Sequence, residues 1–149
     1  MYTCTVTQSE AVNIAVAEIR APMMEVPAHI PTLLEKVASF LTDNGYAPGL
    51  CYVVYDDFAA GTMRMRAGFT IADEAIESDE VALMQLQATP TARTTHYGSY
   101  DGIPAAHQAV REFCTQNNHE QLDLSWETYT EWDEDDAKLV TDIHVAIGQ

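Results

Sequence analysis

The sequence predicts an α+β fold made of two copies of a strand–helix–strand–strand unit, related by a pseudo-twofold axis, with both helices on one face of a mostly antiparallel sheet. Three observations carry this. Two amphipathic helical stretches align at a constant offset of 73 residues, a pair of strand-like runs follows each, and further strand material precedes each. A lone unit of this kind could not cover its own apolar side, so the two are expected to share one domain over 1–149, with halves at about 1–73 and 80–149.

The first helix is expected over Pro27–Asp43, where Ile30, Leu33, Leu34, Val37, Phe40 and Leu41 recur at helical spacing. Asn44-Gly45 ends it, because both residues tolerate the left-handed conformation. The second is expected over Asp101–Gln116, with Ile103, Ala106, Val110, Phe113 and Cys114 on its buried face and Asn117-Asn118 at its end. Ile30-Pro31 aligns with Ile103-Pro104, Val37 with Val110, and Phe40 with Phe113.

Hairpins are expected at Leu50–Asp56 with Thr62–Ala72, and at Leu124–Asp133 with Lys138–Ile147. There the offset is 77, which pairs Tyr52 with Tyr129, Tyr55 with Trp132 and Asp56 with Asp133; a longer loop around His119–Asp123 accounts for the change. The preceding strand material is Thr3–Thr7 and Ala11–Ile19 in the first half, and Ala82–Gln87 and Ala92–Tyr97 in the second. The acidic, Ser-containing segment Asp73–Asp79 reads as the connector.

Seven Lys and Arg against 23 Asp and Glu give a formal charge of −16, which repels a nucleic-acid backbone and argues against direct nucleic-acid binding. The same field suits cationic ligands, a basic protein surface as partner, or simply a solvated acidic exterior. No stretch approaches the roughly 20 apolar residues of a membrane span, so no membrane association is expected. Met1-Tyr2-Thr3-Cys4 lacks the features of a secretory signal, and Cys4, Cys51 and Cys114 form no CxxC pair, so a reduced, cytoplasmic chain is expected.

The run His96-Tyr97-Gly98-Ser99-Tyr100-Asp101 resembles the His-x-Gly-Pro-Tyr-Glu signature of the gyrase-inhibitory-protein-like (GyrI-like) domain, the bacterial transcription-activator effector-binding domain, with Ser99 in place of proline. Trp126-Glu127-Thr128-Tyr129 resembles that family's Glu-x-Tyr strand, Thr141-Asp142-Ile143 its Thr-Glu-Ile strand, and Ala21-Pro22-Met23-Met24-Glu25-Val26-Pro27 its lead into the first helix. The resemblance implies a central groove that takes flat, apolar, cationic molecules against a buried glutamate. It also implies a sensor or sequestration role, or, as in one subgroup, hydrolysis of electrophilic ring-containing molecules.

Glu127 is the residue on which either chemistry would rest, as the counter-charge of a bound cation or as a base or nucleophile. Its structural alternative is an exposed strand glutamate paired with Lys or Arg. Alternation puts Glu127, Tyr129 and Glu131 on one side of their strand, and Trp126, Thr128, Thr130 and Trp132 on the other. Tyr129 and its offset mate Tyr52 would offer rings for stacking and cation–π contact, with Tyr129 as orienting acid in an enzyme. Tyr100 would reach the groove or staple the helix start.

His96 would serve as a base or bond the turn at Gly98. His107 and His144 read as tolerated side chains within a helix and a strand. The tract Glu131–Asp136 lacks the spacing of a calcium loop and reads as a solvated hairpin turn. There is no HExxH, His/Cys cluster, phosphate loop or GxSxG elbow, so no metal and no cofactor is expected. Three functions remain in view: a small-molecule binder, a hydrolase using Glu127, and an acidic partner of a basic surface.

Overall fold

Both helices end where asparagine meets a left-handed residue. The computed structural model describes residues 2–22, 25–71, 78, 80–131 and 134–148. Helix α1 spans Val26–Asp43 and helix α2 spans Ile103–Gln116. The amides of Asn44 and Asn117 donate back to the carbonyls of Phe40 (2.8 Å) and Phe113 (2.9 Å), and Gly45 and Asn118 follow with φ of 81° and 59°. The strands are β1 Thr5–Gln8, β2 Val12–Pro22, β3 Cys51–Ala59, β4 Thr62–Thr70, β5 Ala82–Leu86, β6 Pro90–Tyr97, β7 Gln121–Glu131 and β8 Val140–Ile147. The described strand pairs are antiparallel. Met23, Met24, the connector apart from Ser78, Trp132 and Asp133 lie outside the described residues.

Two compact units result. One comprises 11–87 and orders its strands β3-β4-β2-β5, with α1 packed on β2 and β4. Its apolar face carries Ala15, Ala17, Val53, Tyr55, Met63, Met65 and Ala67, all 8% exposed or less. Its other face carries Arg20, Arg64, Arg66 and Asp56, since alternate residues of a strand point to opposite sides. Gly68 is required where β4 crosses β2: a Cβ there would sit 1.7 Å from the carbonyl oxygen of Ala15.

The second unit comprises 1–10 and 88–149 and orders its strands β1-β6-β8-β7, with α2 packed on β6 and β8. Ala106, Val110 and Cys114 of the helix close over Ala92, Ile143, Val145 and Ile147, and Tyr2, Cys4 and Phe113 pack at the margin. Full burial of a Val or Ile side chain stabilises by about 1.5–3 kcal/mol. The polar atoms of this unit's other face pair with one another: Arg93 with Asp142 (3.2 Å), Thr95 with Asp142 (2.7 Å) and Thr91 with His144 (3.3 Å).

Two expectations are corrected. The strand material expected to lead each half is exchanged: β1 pairs with β6 and β5 pairs with β2, so each edge strand completes the sheet of the other helix. The segment His119–Asp123 is not an enlarged loop. Strand β7 already begins at Gln121, and the additional residues are absorbed by a register shift between Gln121 and Ser125.

Candidate functional site

Strand β7 sets Glu127 opposite Ile143, on the face that α2 covers. The helix presents Ile103, Ala106, Val110 and Cys114 to that face. His107 falls four residues after Ile103 and three before Val110, so it belongs to the same stripe. Its Nε2 donates to Glu127 Oε2 at 2.8 Å. Two residues along β7, Tyr129 shares the face, and its hydroxyl donates to Glu127 Oε1 at 2.8 Å. The Tyr100 ring stacks on Tyr129 with centroids 5.3 Å apart and planes 21° from parallel.

Glu127 is 3% exposed, while Tyr100 at the outer end of the cluster is 38% exposed. A carboxylate removed from water to this degree costs several kcal/mol, which the two hydrogen bonds offset, each oxygen taking one donor. Glu127 is therefore not the exposed strand glutamate paired with Lys or Arg that the sequence also allowed. Among the described residues, the groups that bond the Glu127 carboxylate are the His107 imidazole and the Tyr129 phenol, not a lysine or arginine. Because a carboxylate oxygen can only accept, the ring proton of His107 is assigned to Nε2.

His96 is 7% exposed and is held differently. Its Nε2 donates to the carbonyl of Ser99 at 2.7 Å, and its Nδ1 lies 2.8 Å from the Tyr2 hydroxyl. The ring rests on Gly102, where a Cβ would approach Cε1 to 2.5 Å. His96 therefore fixes the turn from Gly98 into the 3-10 turn Tyr100–Gly102 that delivers Tyr100. A recess of about 500 Å³ opens beside it, lined by Tyr2, Thr3, Thr95, His96 and Tyr97; neither Glu127 nor Tyr129 lines it.

Tyr52 belongs to the other unit. It pairs with Gly68 and shares its face with Asp56, Arg64 and Arg66, whereas Tyr129 lies on the helix-covered face of its own sheet. The pairing of Tyr52 with Tyr129 by offset thus does not match their faces, because the register shifts in β7 break a count along the chain. Tyr55, 8% exposed, is a packing residue opposite Met65. Among the described residues, no three His, Cys, Asp or Glu side chains converge as a metal site, and no helix is long and apolar enough to cross a membrane.

The structure thus brings Glu127, Tyr129 and Tyr100 together, adds His107, and holds His96 in the adjoining turn. His107 was the residue sequence reasoning passed over, although its place in the apolar stripe of α2 was the available signal. No family model and no curated protein matches the sequence.

Solved structures match the fold. The C-terminal domain of EcmrR superposes with a TM-score of 0.81 at 14% identity over 100% of this chain and 99% of that domain. The EcmrR chain in complex with DNA gives 0.82 at 13% identity over 99% of this chain, which spans only 58% of the EcmrR chain's length. SAV2435 bound to tetraphenylphosphonium gives 0.73 at 14% identity over 99% of this chain and 94% of that one. A hydrolase from Listeria innocua gives 0.64 at 9% identity over 97% and 91%. The chain has the GyrI-like fold that its motifs resemble.

Proposed function

We propose that this chain is an effector-binding domain that takes up a small apolar organic cation, using Glu127 as counter-charge and the stacked rings of Tyr129 and Tyr100 as the apolar wall. One observation carries the reading: a carboxylate 3% exposed, bonded by a phenol and an imidazole, with an aromatic pair reaching from it toward the surface. Such an arrangement favours a large, weakly hydrated cation over a strongly hydrated one, since aromatic faces attract positive charge most when both are desolvated. SAV2435, which shares the fold, has been captured with tetraphenylphosphonium, and that supports the choice of ligand class.

The test uses two probes of one shape and opposite charge. Tetraphenylphosphonium should bind at about 0.5 M salt, where the general field of the acidic surface is screened to within a few ångströms, and tetraphenylborate should not. Equal binding of both would show that shape alone selects the ligand and would overturn the role given to Glu127.

A second reading rests on the same hydrogen bonds. A buried carboxylate joined to an imidazole and a phenol is also a set of groups suited to activating water, or to attacking a strained electrophile directly. The shared fold of the Listeria hydrolase supports it at 9% identity. Catalysed opening of an electrophilic ring substrate, abolished in Glu127→Gln, would favour this reading over simple binding.

A further inference from the structure

We propose that Thr141 is a specificity-determining residue of the cation site: its hydroxyl forms a hydrogen bond with the ligand, so the site prefers an organic cation that also carries a hydroxyl or similar polar group. This rests on the cation-binding reading above and deepens it by naming a second feature of the ligand.

Thr141 lies on β8, with Tyr129 of β7 as its cross-strand partner on one side and His96 of β6 on the other. Directly opposed residues of an antiparallel pair point to the same face. The Thr141 side chain therefore stands on the helix-covered face, between the phenol that bonds Glu127 and the imidazole that holds the turn. Glu127 is paired with Ile143, which makes it the diagonal neighbour of Thr141. Cβ atoms related in this way lie about 7 Å apart, within the length of a substituted phenyl ring.

The hydroxyl of Thr141 has no partner among the described residues, although the residue is 0% exposed. Two other buried threonines of this sheet are satisfied: Thr91 Oγ1 lies 3.3 Å from His144 Nδ1, and Thr94 Oγ1 donates to the carbonyl of Thr3 at 2.8 Å. The polar groups flanking Thr141 are committed elsewhere, Tyr129 to Glu127 Oε1 and His96 to Ser99 and Tyr2. A buried hydroxyl without a partner is destabilising, whereas a valine would fill the same space without that cost.

A hydroxyl both donates and accepts, so the group that suits Thr141 is a polar substituent arriving with the ligand. A ligand held at Glu127 and lying along the Tyr129 ring toward His96 would bring such a substituent to it. The recess of about 500 Å³ reaches His96, the immediate strand neighbour of Thr141, so room for such a group lies close by.

The experiment is calorimetric titration of the whole chain with three probes: tetraphenylphosphonium, and its two derivatives that carry one hydroxymethyl group at the meta or para position of a single ring. The wild type should bind at least one derivative about tenfold more tightly than the parent, the gain from one hydrogen bond formed out of water. Thr141→Val should bind all three alike, with parent affinity no weaker than that of the wild type and a melting temperature no lower. Thr141→Ser, which keeps the hydroxyl, should retain the preference.

Equal binding of the three probes by the wild type overturns this inference and leaves the cation reading standing. A preference that persists in Thr141→Val does the same. A lower melting temperature in Thr141→Val, with an equal loss of affinity for all three probes, would give Thr141 a structural role only and also overturns it. Absence of binding by the wild type, or binding of the parent cation that is indifferent to Glu127→Gln, overturns both. If the valine variant does not fold, Thr141→Ala takes its place in the comparison.

Discussion

The Trp126 indole lies flat on the His144 imidazole, with centroids 5.1 Å apart and planes 10° from parallel. The two residues are cross-strand partners on β7 and β8, Trp126 is 2% exposed, and burial together with the nearby Arg93 charge lowers the His144 pKa to about 4. In the unfolded chain a histidine titrates near 6.5. The unfolded state therefore binds more protons than the folded state between those values, and stability is lost as pH falls from about 6.5 toward 4. The loss is at most about 3 kcal/mol. Urea unfolding of wild type and His144→Phe across that range should show the variant losing less stability with acid; parallel curves would contradict this.

Asp56 is a second electrostatic element. Burial pushes its carboxyl up, but the Arg64 hydrogen bond and the charges of Arg66, Arg64 and Arg20 outweigh that and hold it below the usual carboxylate range. Arg64 binds it at two points, each 2.8 Å, and Arg66 adds a third at 2.9 Å. The stability this cluster contributes is present above the ordinary carboxylate pKa and is lost as pH falls through the lowered folded value. Asp56→Ala should cost about 2–4 kcal/mol at neutral pH, because two partly buried guanidiniums lose their counter-charge. Denaturant midpoints measure it.

Gly68→Ala should be more damaging than its size suggests. The added Cβ meets the backbone of Ala15 and Val16, which cannot move aside as a side chain would. A loss of about 3 kcal/mol or more, or failure to accumulate as folded protein, is expected. An unchanged melting temperature would contradict this.

Tyr129 separates packing from ligand contact. Tyr129→Phe deletes the donor to Glu127 Oε1 and should cost about 1–3 kcal/mol of stability, the penalty of leaving a buried acceptor without its partner. Tyr129→Leu also removes the ring on which Tyr100 stacks, and should lose a further ~0.5–2 kcal/mol of tetraphenylphosphonium affinity relative to the Phe variant. Calorimetry on the pair measures both.

Much of this was legible in the sequence because helical and strand periodicities are local. The stripes through Val37 and Val110, and the asparagines that end both helices, placed α1 and α2 to within a residue or two. Partner choice was not legible: nothing in Thr5–Gln8 says that it pairs with Pro90–Arg93 rather than with its neighbour in sequence.

Counting along β7 failed for a related reason. A register shift moves every later side chain relative to a linear offset, so Tyr52 and Tyr129 matched in sequence but not in face. Glu127 and Tyr129 stand out in the sequence through a motif and strand alternation. His107 does not stand out in the sequence because a lone histidine in a helix is by residue type a tolerated side chain, and only its place in the buried stripe brings it to Glu127.

The most direct test of the account is the affinity of Glu127→Gln for tetraphenylphosphonium, measured against wild type at pH 8 and moderate salt. Glutamine keeps the shape of the side chain and removes its charge. The account predicts a loss of affinity of at least about tenfold, with the fold retained by circular dichroism. Affinity within twofold of wild type would contradict it, since the buried charge would then have no part in holding the ligand.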